Sequence, residues 1–237
     1  MSEAPDADSV LLPGPWRHRF VSANGGRFHV AEAGPEDGRL VVLLHGFPQF
    51  WWAWRHQLTA LADAGYRAVA MDLRGYGASD KPPRGYDTLT SAADVAGVVR
   101  SLGAADAVVV GHGWGGWIAW SMPALAPRVT RAVAALSVGH PLRMRATGLS
   151  PAALASTRSL LGFQVPFLPE RSLQEPGTVG AMLREWAGPG AWPSPEEAER
   201  YAAAMRIPFV AHSALEYYRW AVRSLLRPDG LRFARAV

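Results

Sequence analysis

The sequence predicts an α/β architecture, a mostly parallel sheet with helices on both faces, joined to a helical cap. Three observations predict it. Short unbroken apolar runs, the pattern of strands buried on both faces, alternate with helical segments between residues 27 and 138. Beyond about residue 141, prolines punctuate short helical pieces and no strand-like run occurs. The 237 residues are 49% hydrophobic and 19% charged, which suits a large core and excludes disorder of the whole chain.

The elements follow in order. Residues 1–15 are polar and proline-rich, so a frayed terminus is expected. Residues 27–33 (RFHVAEA) alternate as a strand does, and 40–44 (LVVLL) is a buried strand bounded by glycines. Residues 49–64 carry Trp51, Trp54, Leu58 and Leu61 on one helical face, ended by Gly65. Residues 67–71 form another buried strand, 90–102 a helix ended by Gly103, and 107–110 a third buried strand. A glycine-opened helix spans 114–125, with Pro123 expected to kink or shorten it. Residues 129–138 are a fourth apolar strand; 195–205 and 211–226 are cap helices. The division is a flexible 1–15, the N-terminal part of a core over 16–140, and a helical cap over 141–230; the family resemblance given below makes 231–237 the start of a C-terminal core whose remaining elements are missing.

Composition removes several functions. Without cysteine there are no disulfides, no thiolate chemistry and no cysteine-held metal. No apolar run approaches the ~18 residues of a membrane span. The acidic N-terminus lacks the pattern of a signal peptide, so a cytoplasmic location is expected. The net charge of +4 is almost all arginine, Lys81 being the only lysine. Residues 219–235 hold five arginines and one acid, Asp229. No nucleic-acid motif accompanies them, so they read as a solvated face rather than a nucleic-acid site.

Three segments carry chemistry. The first is His45-Gly46-Phe47-Pro48 with the aromatic run Phe50, Trp51, Trp52 and Trp54. The second runs from Asp72 to Pro82 (DLRGYGASDKP). The third is Gly111-His112-Gly113-Trp114-Gly115-Gly116 after Val108–Val110. In this order and spacing they resemble the α/β-hydrolase fold superfamily, and within it the epoxide hydrolases and their haloalkane dehalogenase relatives. The resemblance runs from about Phe20 onward.

That resemblance implies a nucleophile on a tight strand-to-helix turn with positive φ, flanked by small residues. In epoxide hydrolases an Asp there opens a small apolar epoxide to an ester, which a histidine-activated water hydrolyses. No metal or cofactor takes part. The resemblance places the oxyanion hole at the backbone N–H groups of Phe47 and Trp114. It places substrate contacts at Tyr218, Trp114, His45 and Pro48, with Tyr218-Arg219 matching a cap tyrosine motif.

The sequence departs from that pattern at three points. The elbow residue is Gly113, which has no side chain with which to attack. The sequence stops at Val237, short of the strands that carry the acid and the histidine in the family. His18, His29, His45, His56, His112, His140 and His212 all precede that point. The residue before Phe163-Gln164-Val165-Pro166 is Gly162 rather than a second tyrosine.

The expectation is a truncated, inactive epoxide hydrolase relative. The alternatives are a pseudoenzyme that binds a small molecule or a protein, and activity completed by another chain. Truncation would leave 129–138 as an apolar edge open to self-association. Gly111, Gly113 and Gly116 also spell a dinucleotide-binding turn, but the acid required about 20 residues later is absent from 130–140.

Overall fold

The computed structural model describes residues 4–140, 160–190 and 192–225. Expectations for 141–159 and for residues from 226 onward lie outside the described residues.

Strands β1 (Arg17–Ala23), β2 (Gly26–Ala33), β3 (Leu40–Leu44), β4 (Arg67–Met71), β5 (Ala107–His112) and β6 (Thr130–Leu136) form one sheet. Their order is β1-β2-β4-β3-β5-β6. The β4-β3-β5-β6 part is parallel, while β1 and β2 run antiparallel at one edge. The apolar runs of β3 and β4 are buried at every position, as interior parallel strands require.

Helices α1 (Arg55–Asp63), α2 (Thr88–Ser101) and α3 (Trp114–Leu125) connect the parallel strands. The crossover from β3 through α1 runs one way along the sheet; those through α2 and α3 run the other. Right-handed crossovers of opposite direction place α1 on one face and α2 and α3 on the other. The described cap comprises α4 (Leu168–Gln174), α5 (Thr178–Ala187), α6 (Pro195–Arg206) and α7 (Val210–Leu225). Ser194 and Glu197 close α6 with reciprocal capping bonds. Tyr217 on α7 donates to the Arg74 carbonyl at 2.9 Å, and Tyr86 bonds Ser213 at 2.9 Å, tying cap to core. Among the described residues no helix is long and apolar enough to cross a membrane.

Several expectations need correction. β1 was not expected, because Arg17 and Arg19 break its apolar pattern; Glu32 of β2 answers both charges across the ladder. The stretch expected to fray instead anchors Val10, which is buried and whose carbonyl accepts from the Trp51 indole at 2.8 Å. Residues 51–54 are a 3-10 turn rather than the start of an α-helix, and the Trp51 amide goes to the Asp72 carboxylate at 2.8 Å. α2 begins earlier than expected because Asp87 caps the Thr90 amide. Pro123 lies in the last turn of α3 and the helix runs through it. Residue 129 belongs to a 3-10 turn, so β6 starts at Thr130. Among the described residues β6 is the outermost strand, paired only with β5, and its Leu136 is exposed.

Candidate active site at the strand switch point

β3 and β5 lie side by side, yet the chain leaves them in opposite directions, toward β4 and toward β6. A crevice opens beyond the carboxyl ends of two such strands. The loops that follow them are His45–Pro48 and Gly113–Trp114.

Gly113 has φ 54° and ψ −117°, the strained turn between β5 and α3. Glycine suits such an angle. Space does not demand it, since a Cβ built there meets only the Gly46 Cα, at 3.5 Å. Its neighbours are glycine for a different reason. A Cβ on Gly111 would fall 2.1 Å from the Gly115 carbonyl, and one on Gly115 would fall 2.2 Å from the Leu44 carbonyl. A Cβ on Gly116 would fall 2.5 Å from Val138. Strand and helix approach too closely for any larger residue, which accounts for the glycine spacing without a bound phosphate.

His45 braces the oxyanion loop from behind. It is fully buried, its Nδ1–H donates to the Gly46 carbonyl at 2.9 Å, and its Nε2 accepts from the Leu73 amide at 3.1 Å. Both ring nitrogens are therefore engaged by backbone, and burial holds the imidazole below its ordinary pKa. Its carbonyl accepts from the Gly115 amide at 3.1 Å, which links the two loops. Pro48 is buried beside Phe47. No hydrogen bond among the described residues uses the amide N–H of Phe47 or of Trp114. The two amides expected from the sequence as donors are thus without a partner among the described residues.

Aromatic rings wall the site on the cap side. The Tyr218 ring lies 5.2 Å from Phe47, 5.1 Å from Trp114 and 5.0 Å from Phe163. Trp186 of α5 approaches Phe47 at 6.0 Å. The Tyr218 hydroxyl is bonded to the Trp114 side chain, and burial raises its pKa. Because an indole N–H only donates, the tyrosine proton stays unspent in that bond. The expected site residues Phe47, Trp114 and Tyr218 are therefore brought together, whereas His45 stands behind the loop. Sequence reasoning did not single out Trp186; its place at the end of α5 depends on how the cap folds.

The remaining candidates have local roles. Asp72 accepts from Trp51, Ala78 and His29, and Arg74 pairs with Asp94. His212 contacts Glu170 at 3.3 Å, and the His140 ring meets Trp120 at 5.0 Å. Arg219 pairs with Glu170 and Glu216, and Arg223 with Glu216, so these basic residues are neutralised within the cap. Among the described residues no cluster of side chains is arranged to hold a metal.

Comparison with known proteins agrees with this geometry. Residues 39–174 match the family described as alpha/beta hydrolase fold. The AB hydrolase superfamily protein YfhM of Bacillus subtilis is 39% identical over 207 residues, covering 85% of this chain and 72% of that protein. Epoxide hydrolase B of Mycobacterium tuberculosis is 48% identical over 125 residues, which are 51% of this chain but 35% of that protein. Among solved structures, epoxide hydrolase A of Mycobacterium thermoresistibile superposes with a TM-score of 0.71 at 31% identity, over 89% of this chain and 78% of that one. Wild-type Cfl2 of Burkholderia cenocepacia gives a TM-score of 0.78 at 31% identity, over 92% of this chain and 75% of that one.

Proposed function

Because the chain belongs to the alpha/beta hydrolase fold family, we propose that it is an epoxide hydrolase-like member that binds a small apolar, oxygen-bearing molecule without forming a covalent ester with it. One observation carries the reading. The elbow keeps a positive-φ strand-to-helix turn beside two amides that have no partner among the described residues, but its residue is Gly113. Glycine supplies no atom to attack carbon, so covalent catalysis from this position is closed. The donors and the aromatic wall still suit a ligand with an apolar body and one acceptor oxygen. The reading needs no metal and no cofactor.

The test uses styrene oxide. Diol formation should not exceed a no-protein control, while tryptophan fluorescence should titrate saturably, Trp114 and Trp186 being at the site. Turnover above the control would defeat the inactive reading, and a flat titration would defeat the binding reading. That β6 is the outermost strand among the described residues supports a further proposal, self-association through that edge, which sedimentation checks.

A further inference from the structure

Tyr76, in the loop after β4, is 1% exposed, and its hydroxyl has no hydrogen-bond partner among the described residues. An unpaired buried hydroxyl loses its bonds to water and gains none in return, so native structures rarely keep one without a use. Its surroundings lead to the site. The ring packs on His45 at 4.7 Å, and His45 braces Gly46 against Gly113. On its other side it meets Tyr217 at 5.8 Å, and Tyr217 in turn lies 5.8 Å from Trp114.

The neighbouring hydroxyls are already committed. Tyr217 donates to the Arg74 carbonyl, and Tyr86 bonds Pro82 and Ser213. Tyr218 accepts from Trp114 and keeps its own proton. Tyr76 and Tyr218 are thus the two tyrosines of this cluster whose protons have no acceptor within it. Burial raises the pKa of both, so both stay protonated and able to donate.

We propose that Tyr76 is a ligand-contacting and specificity-determining residue of the elbow site, donating together with Tyr218 to the acceptor oxygen of a small neutral ligand with an apolar body. The assignment rests on the ligand-binding reading above. It explains why a phenol rather than a phenylalanine occupies a buried position with no internal partner. A site holding two such donors discriminates against a ligand that lacks the oxygen, because both hydroxyls then stay unpaired.

The experiment compares styrene oxide with phenylcyclopropane, which replaces the ring oxygen by a methylene, in the full chain and in Tyr76→Phe. Binding is followed by tryptophan fluorescence and folding by thermal melting. The full chain is expected to prefer styrene oxide, and Tyr76→Phe to lose about tenfold of that preference, the worth of one hydrogen bond. Its Tm should be unchanged or raised, since only an unpaired hydroxyl is removed. An unchanged preference in Tyr76→Phe overturns the assignment, as does a lowered Tm, which would reveal an internal partner. If the full chain binds both compounds equally, apolar binding stands and Tyr76 has no part in it. If it binds neither, the ligand-binding reading fails first.

Discussion

The floor and the cap wall of the site are held by different means. The floor consists of loops after buried strands, pinned by backbone bonds, by His45 and by glycines whose carbonyl contacts admit no side chain. The wall consists of side chains carried by the cap, and its Trp186 is 47% exposed where Phe47 of the floor is 6% exposed. The contrast separates scaffold from chemistry. Gly111 and Gly115 are fixed by contact, whereas Gly113 has room for a side chain, so the reactive position can change while the floor persists.

The largest expected effect breaks the floor. Asp72 is fully buried and accepts from His29, from the Trp51 amide and from the Ala78 amide. Asp72→Ala strands these donors together and should cost about 3–5 kcal/mol, a fall in Tm on the order of 10 °C. A fall of a degree or two would mean that the floor does not depend on this carboxylate.

Acid tests the same region reversibly. Burial holds His45 below 6.5. Burial also works to raise Asp72, but the His29 hydrogen bond and charge and the Trp51 amide outweigh it, holding the carboxyl below 3.8. Both groups bind their proton at higher pH in the unfolded chain than in the folded one. Their stabilisation is therefore present above 6.5 and is lost as pH falls, first through His45 and later through Asp72. The cap carboxyls Glu170 and Glu197 are held below 4.5, so the cap responds only at lower pH. Hydrogen exchange should show the floor loosening before the cap between about pH 6.5 and 4.5; simultaneous loosening would erase the contrast.

An intermediate effect falls on the elbow. Gly113→Asp places a non-glycine residue at φ 54° and should cost about 1–3 kcal/mol. The space beside the Gly46 Cα accommodates it, so the variant should still fold. Exposure to styrene oxide should then add the mass of one epoxide to the variant and not to the parent chain. A raised Tm would refute the strain, and an unmodified mass would show that the elbow alone does not restore attack.

The same division decides what the sequence revealed. LVVLL and RAVAM were legible as strands because interior parallel strands bury both faces and so carry an unbroken apolar run. The elbow was legible because its glycines answer local geometry. β1 was hidden, since its arginines are satisfied by Glu32 of another strand. The anchoring of Val10 was hidden likewise, since the Trp51 indole that holds its carbonyl is far along the chain. Trp186 and the unpaired Tyr76 hydroxyl depend on packing around the cap that no spacing rule encodes.

The smallest effect belongs to the outer surface of the cap. Phe167 is 82% exposed and sits at φ 68°, a conformation that a bulky residue adopts only with strain. Its ring covers little, so removing it forfeits little burial. Asn is found at positive φ several-fold more often than bulky residues are. Phe167→Asn should therefore raise stability by at most about 1 kcal/mol, and it should leave the affinity for styrene oxide unchanged because a ring this exposed lends the site no wall. A clear loss of stability would show that the exposed ring has a partner in solution. A change in affinity at constant stability would show that strain in the cap is transmitted to the floor, and the two regions would then have to be treated as one mechanical unit.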